Sequence, residues 1–119
     1  MPIRSYRDLV VWQKSMDLVV SVYDVTRALP REEQFGITAQ MRRAAVSIVA
    51  NLAEGSGRSA KQFAHFVVIA RGSQRELEAL TAVCLRLGFL TEADAKNCAG
   101  LQDEVGAMLW TLRAKLVRS

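Results

Sequence analysis

Phe63, Phe66, Ala70, Ser73, Leu77, Leu80, Cys84 and Leu87 recur at alternating spacings of three and four residues. This heptad pattern constrains the fold more than any other feature, because only a helix of about 3.6 residues per turn gathers such positions onto one stripe. A helix with an apolar stripe must cover it, so the segment calls for helical neighbours. Ser59 with Gln62 three residues on has the form of a capping box at its start, and Gly88 suits the position just past its end at Leu87.

Three neighbours are readable in the rest of the chain. In the first, Leu9, Trp12, Met16, Val19, Tyr23 and Thr26 form one stripe, and Val11, Leu18, Val22, Val25 and Leu29 form a second beside it. Two stripes suit a helix packed on both flanks. Ser5 and Asp8 have capping-box spacing at its start, and Pro30 ends it. A second helix spans about 35–56, with Ile37, Met41, Ala45, Ile48 and Leu52 on its seam. Thr91 caps a fourth that reaches about Val117, with Cys98, Leu101, Val105, Met108 and Leu112 facing inward. No segment alternates at period two for long, and short connections between long helices imply antiparallel neighbours. The expected fold is all-α: an up-down-up-down antiparallel four-helix bundle, one domain over residues 1–119.

Composition then excludes several function classes. Cys84, Cys98 and the lone His65 make no metal-ligand pattern, so neither metal nor cofactor is expected. Free, buried thiols suit a reducing cytoplasm. The run Leu9-Val10-Val11-Trp12 is too short for a signal-peptide core, and no stretch approaches the ~20 apolar residues of a membrane span.

The segment Asn51-Leu52-Ala53-Glu54-Gly55-Ser56-Gly57-Arg58-Ser59-Ala60 interrupts this apolar chain. A phosphate-cradling loop would follow a strand, whereas this one follows a helix. Gly55 and Gly57 are instead expected to let the chain leave helix two through positive φ. The start of helix three, with Arg58 and Lys61, remains favourable for an anion. Gln40, Ala44, Ser47, Asn51 and Glu54 share 4-3-4-3 spacing, a polar-to-small stripe beside the apolar seam. It is either a solvated face or a hydrogen-bonded strip against helix three or another subunit, meeting Arg43, Ser73 or Glu76.

Charge is unevenly placed. Residues 35–87 hold Arg42, Arg43, Arg58, Lys61, Arg71, Arg75 and Arg86 against Glu54, Glu76 and Glu78, while the flanking segments balance. The whole net charge of +4 therefore lies on helices two and three. Antiparallel topology would also bring Arg4, Arg7, Arg58, Lys61, Arg113, Lys115 and Arg118 to one end of the bundle, opposed mainly by Asp8 and Glu54. Several copies in a ring would multiply that field.

Several motifs also carry a resemblance. Asp8-Leu9-Val10-Val11-Trp12-Gln13-Lys14, Gln40-Met41-Arg42-Arg43-Ala44-Ala45-Val46-Ser47-Ile48 and Asn51-Leu52-Ala53-Glu54-Gly55 resemble the four helix bundle protein family. Gly72-Ser73 with Glu76-Leu77-Glu78, and Leu87-Gly88-Phe89-Leu90, match its later motifs, so the likeness spans about residues 6–117. Members were first noticed as reading frames in intervening sequences of bacterial 23S rRNA genes; a relative is the accessory variability determinant of diversity-generating retroelements. Val49 departs from the pattern, where the family often has proline, which would leave helix two straighter. The resemblance implies a bundle assembling as a ring, typically a homopentamer, with no established enzymatic activity. For the retroelement relative it implies nucleic-acid binding through basic surface and contact with a reverse transcriptase.

Three functions compete on these grounds. The first is a non-enzymatic ring whose basic end (Arg4, Arg7, Arg58, Lys61, Arg113, Lys115, Arg118) binds the backbone of RNA or DNA. Base stacking is not indicated, because aromatics are few and Trp12 and Tyr23 fit the core. The second is a protein-interaction scaffold whose basic end meets an acidic partner. The third is a helical ribonuclease using Arg58 and His65, six residues apart, with the imidazole as general base. A homo-oligomer is expected because Val10, Val20, Val68, Ile69, Trp110 and Val117 lie off the main seams.

Overall fold

Four helices form where the periodic segments lie. The computed structural model describes residues 5–118. Its helices are α1 (Val10–Thr26), α2 (Ile37–Ser56), α3 (Ala60–Arg86) and α4 (Glu92–Val117), with short 3-10 turns at Tyr6–Asp8 and Arg31–Glu33. Contacts join α1 to α2, α2 to α3, α3 to α4 and α4 back to α1, and the two diagonal pairs stay apart. Lys14 pairs with Glu104 and Ser21 with Asn97, so α4 runs backward as α1 runs forward. The result is an up-down-up-down bundle of 45 × 23 × 19 Å.

The helix ends show which local signals acted. Thr91 Oγ1 accepts the Asp94 N–H at 3.1 Å while the Asp94 carboxylate accepts the Thr91 N–H, a complete capping box. Ser59 Oγ accepts the Gln62 N–H at 3.3 Å. Gly88 has φ 76°, and the Phe89 N–H turns back to the Cys84 carbonyl at 2.9 Å, closing α3 through the left-handed conformation glycine favours.

Other ends differ from expectation. Ser5 accepts the Arg7 N–H and caps the 3-10 turn, whereas α1 starts from Leu9 without a side-chain cap. α1 stops at Thr26, four residues before Pro30. Phe35 stands outside α2 and is 91% exposed. Neither Gly55 nor Gly57 has a positive φ. Gly55 is instead a close-packing residue in the last turn of α2: an added Cβ would stand 2.6 Å from Phe66 Cβ and 2.9 Å from Phe63 Cδ1. Phe66 Cβ is fixed to the α3 backbone, so the two helices could not keep this approach with a larger residue.

The registers of α1, α3 and α4 also differ from the apolar count. On α3 the inward positions are Phe63, Val67, Ala70, Gln74, Leu77, Thr81 and Cys84, while Phe66, Ser73 and Leu80 sit half-buried on the flank and Leu87 is exposed. On α4 they are Ala95, Cys98, Gln102, Val105 and Leu109, with Leu101, Met108 and Leu112 half-buried. On α1 the stripe of Val11, Leu18 and Val22 faces the core, and Met16 and Tyr23 of the other stripe are exposed. The cause is polar residues in the core. Gln74, Thr81, Gln102, Ser15 and Ser21 are all buried, so counting apolar side chains shifts the apparent face. On α2, Met41, Ala45, Ile48 and Leu52 are buried as expected, while in its first turn Ile37 is half-buried and the polar Thr38 is buried instead.

Burial of these groups is tolerable because each is paired. Gln74 Nε2 donates to the Gln102 carbonyl at 3.0 Å and Gln102 Nε2 donates to Thr81 Oγ1 at 2.9 Å. Thr81 Oγ1 in turn donates to the Leu77 carbonyl at 2.9 Å. Among the described residues no buried side-chain nitrogen or oxygen lacks a partner. Gly106 lets α4 close over this layer, since a Cβ there would lie 2.9 Å from Gln74 Nε2. Cys84 packs against Met41 Sδ at 3.7 Å and Cys98 against Gln102. Burial pushes both thiols up from their ordinary range, most simply keeping them protonated and unreactive.

Candidate nucleic-acid interface

The polar stripe of α2 divides into a paired and a solvated part. Ser47 Oγ and Ser73 Oγ share a 2.9 Å hydrogen bond between α2 and α3. Asn51, half-buried, donates back to the Ser47 carbonyl at 2.8 Å and to Ser47 Oγ at 3.1 Å. Asn51 therefore fixes the serine pair and does not cross to α3 itself. Glu54 turns to Arg58, with Oε1 2.7 Å from a guanidinium nitrogen. Gln40, Arg43 and Glu76 are exposed and make no hydrogen bond or ion pair with the described residues.

The cations expected at one end lie on several faces of it. Arg4 is outside the described residues. Arg7 lies over the Tyr6 ring at 5.1 Å on the 3-10 turn. Arg58 is occupied: besides its bond to Glu54, it lies 5.0 Å from the centre of the Phe66 ring. Lys61 and Arg118 are exposed. Lys115 lines the groove between α1 and α4 with Val10, Met108 and Leu112. Arg113 points elsewhere, into the groove between α3 and α4. His65 is exposed and makes an edge contact with Phe66 at 5.9 Å. No hydrogen bond among the described residues orients its ring, which a general base in a nucleophile–base pair requires.

The α3/α4 groove gathers residues that the linear pattern did not single out. Val68, Arg71, Gly72 and Arg75 of α3 and Trp110 and Arg113 of α4 line a hollow of about 470 Å³. Arg71 lies 4.6 Å above the Trp110 ring, a cation–π contact, and Trp110 is 55% exposed. None of Arg71, Arg75 and Arg113 has a carboxylate at ion-pair distance among the described residues. Further along, a second hollow of about 420 Å³ shares Arg71, Arg75 and Trp110 but adds Glu78 and Asp103. The groove is thus positive toward Arg113 and changes sign toward Asp103. Lys61 shares the outer face of Val68 and Arg75, at heptad intervals along α3, and extends the positive stretch to the bundle end.

A local signal for these residues exists: Arg71 and Arg75 are four apart, and Trp110 and Arg113 three apart, so each pair shares a helix face. Joining the pairs requires the α3–α4 register, which buried Gln74, Thr81 and Gln102 conceal from an apolar count. Among the described residues, no three His, Cys, Asp or Glu side chains gather into a metal-sized cluster. No helix among them is long and apolar enough to cross a membrane.

No curated protein matches this chain. The model of the family described as 23S rRNA-intervening sequence protein matches residues 7–111, which takes in all of α1, α2 and α3 and most of α4. The motifs it spans include the serine pair and glycine contact between α2 and α3, together with Arg71, Arg75 and Trp110. With the four-helix bundle and this match over most of its length, the chain belongs to the 23S rRNA-intervening sequence protein family.

Proposed function

We propose that this protein is a non-enzymatic, cytoplasmic nucleic-acid-binding protein that works as a ring-like homo-oligomer, most simply a pentamer. The carrying observation is the group of three guanidinium side chains, Arg71, Arg75 and Arg113, in one groove with no carboxylate at ion-pair distance among the described residues. Lys61 and Arg118 extend this surface to the bundle end, with Arg7 and Lys115 on its neighbouring faces. Arg58 contributes less, because it must leave Glu54 to meet a phosphate. Arginine forks match phosphate oxygens bidentately, and such contacts are insensitive to base sequence.

The test is filter binding of RNA and DNA of mixed sequence at two salt concentrations. Log affinity is expected to fall linearly with log salt, by about 0.9 per phosphate contact on duplex or about 0.7 on single strands, as counterions are released. Absence of binding at low salt would defeat the reading. Oligomerisation is supported by the exposure of Val10, Val20, Ile69 and Val117, which lie outside the lining of the groove. Light scattering at micromolar concentration is expected to give a multiple of 13.2 kDa; a clean monomer overturns the ring.

A second reading, a scaffold for an acidic protein, has its own observation. Phe35 ahead of α2, Arg42, Arg43 and Val46 on it and Tyr23 of α1 line a hollow of about 450 Å³ that combines exposed apolar surface with cations. Competition separates the two readings: nucleic acid displaces a partner held in the α3/α4 groove, but not one held at Phe35.

A further inference from the structure

We infer that the α3/α4 groove is a subsite for an unpaired nucleotide, whose base stacks on the Trp110–Arg71 pair while its phosphates meet Arg75 and Arg113. The inference rests on the nucleic-acid reading and narrows it to single strands. Three observations converge on it. Trp110, more than half exposed, offers an aromatic face within a cluster of cations, where base and backbone can be engaged together. Arg71, with its Cζ 4.6 Å over that ring, adds a planar guanidinium, itself a surface on which bases stack. Gly72 lies in the middle of α3, where glycine disfavours helix, yet a Cβ there would meet nothing within 4 Å. Packing does not require glycine at this position. Its missing side chain does leave the wall of the groove open beside Val68 and Trp110.

The dimensions and charge agree with one nucleotide. A hollow of about 470 Å³ falls within the range of small-ligand sites, roughly 300–1,000 Å³. Glu78 and Asp103 repel phosphate from the far end of the groove, so the backbone is confined between Arg75, which borders that end, and Arg113 at the other. In a duplex the base faces are stacked on one another, and stacking on Trp110 requires a base that has left its neighbours.

Fluorescence anisotropy with a labelled oligouridine strand and a blunt duplex of mixed sequence tests this, comparing wild type with Trp110→Ala, Trp110→Phe and Gly72→Leu. Wild type is expected to favour the single strand. Trp110→Ala is expected to cut the ratio of single-strand to duplex affinity by about 5- to 150-fold, the range for one lost base–aromatic stack. Trp110→Phe, which keeps an aromatic face, retains most of the ratio. Gly72→Leu lowers it by filling the groove, with every cation and aromatic still in place and a better helix former at that position. If wild type binds duplex and single strand alike and none of the variants alters the ratio, the subsite is wrong while the nucleic-acid reading stands. If Trp110→Ala lowers the oligomer mass and leaves the ratio unchanged, Trp110 is a subunit contact and the subsite is likewise wrong. If wild type binds neither probe at low salt, both readings fall.

Discussion

Reversing Arg75 and Arg113 together to glutamate is expected to weaken binding to mixed-sequence nucleic acid by about 100-fold or more. Each charged hydrogen bond to phosphate contributes roughly 1.5 kcal/mol at the low end, and two amount to a hundredfold in affinity before the added repulsion. The loss is expected on every sequence tested, because phosphate contacts position the ligand without reading it. The salt dependence flattens at the same time, by about 1.4 in slope on single strands or about 1.8 on duplex, as two counterion-releasing contacts disappear. The fold should survive, since both side chains are exposed and neither takes part in an ion pair among the described residues. Arg58→Glu with Lys61→Glu is the informative comparison: its effect should be smaller, because Arg58 is already bonded to Glu54. Filter binding at two salt concentrations measures both variants, and an unaltered slope for Arg75→Glu with Arg113→Glu would place the interface elsewhere.

Within the core, Thr81→Val is expected to cost about 1–3 kcal/mol despite almost unchanged shape. It removes the hydroxyl that accepts from Gln102 Nε2 at 2.9 Å, leaving that buried donor only the weak acceptor Cys98 Sγ at 3.4 Å. Gln102→Leu should cost less, because the Thr81 hydroxyl still donates to the Leu77 carbonyl. The double variant should recover much of the loss of Thr81→Val, since two apolar groups need no partner. Urea denaturation of the four proteins of this cycle measures the coupling. Equal stability of Thr81→Val and wild type would mean that the Gln102–Thr81 bond contributes nothing to the fold.

That layer also explains why the fold was more legible than its interior. The number of helices, the Thr91 capping box and the glycine turn at Gly88 are local matters, settled within a few residues along the chain. The α2 seam was legible for the same reason, because from Met41 onward every inward residue on it is apolar or small. Inward registers on α1, α3 and α4 were not, since Ser15, Ser21, Gln74, Thr81 and Gln102 read as surface residues until a partner is found for them. Ser15 and Thr81 find one on their own helix, at the carbonyls of Val11 and Leu77, but Gln74 and Gln102 depend on the opposite helix.

By itself the sequence determined an all-α bundle of four antiparallel helices, because periodicity, caps and short connections act locally and leave a helix few ways to cover an apolar face. It also determined that the excess cations lie on the second and third helices. Tertiary structure alone decided that Gly55 serves close packing instead of a turn, because the carbon it would strike belongs to Phe66 on the next helix. It likewise decided that Arg71 and Arg75 share a groove with Trp110 and Arg113, more than thirty residues away in the chain. Burial of a polar group and convergence of distant side chains both depend on which faces meet, and that is fixed by packing between helices, not by the propensity of either.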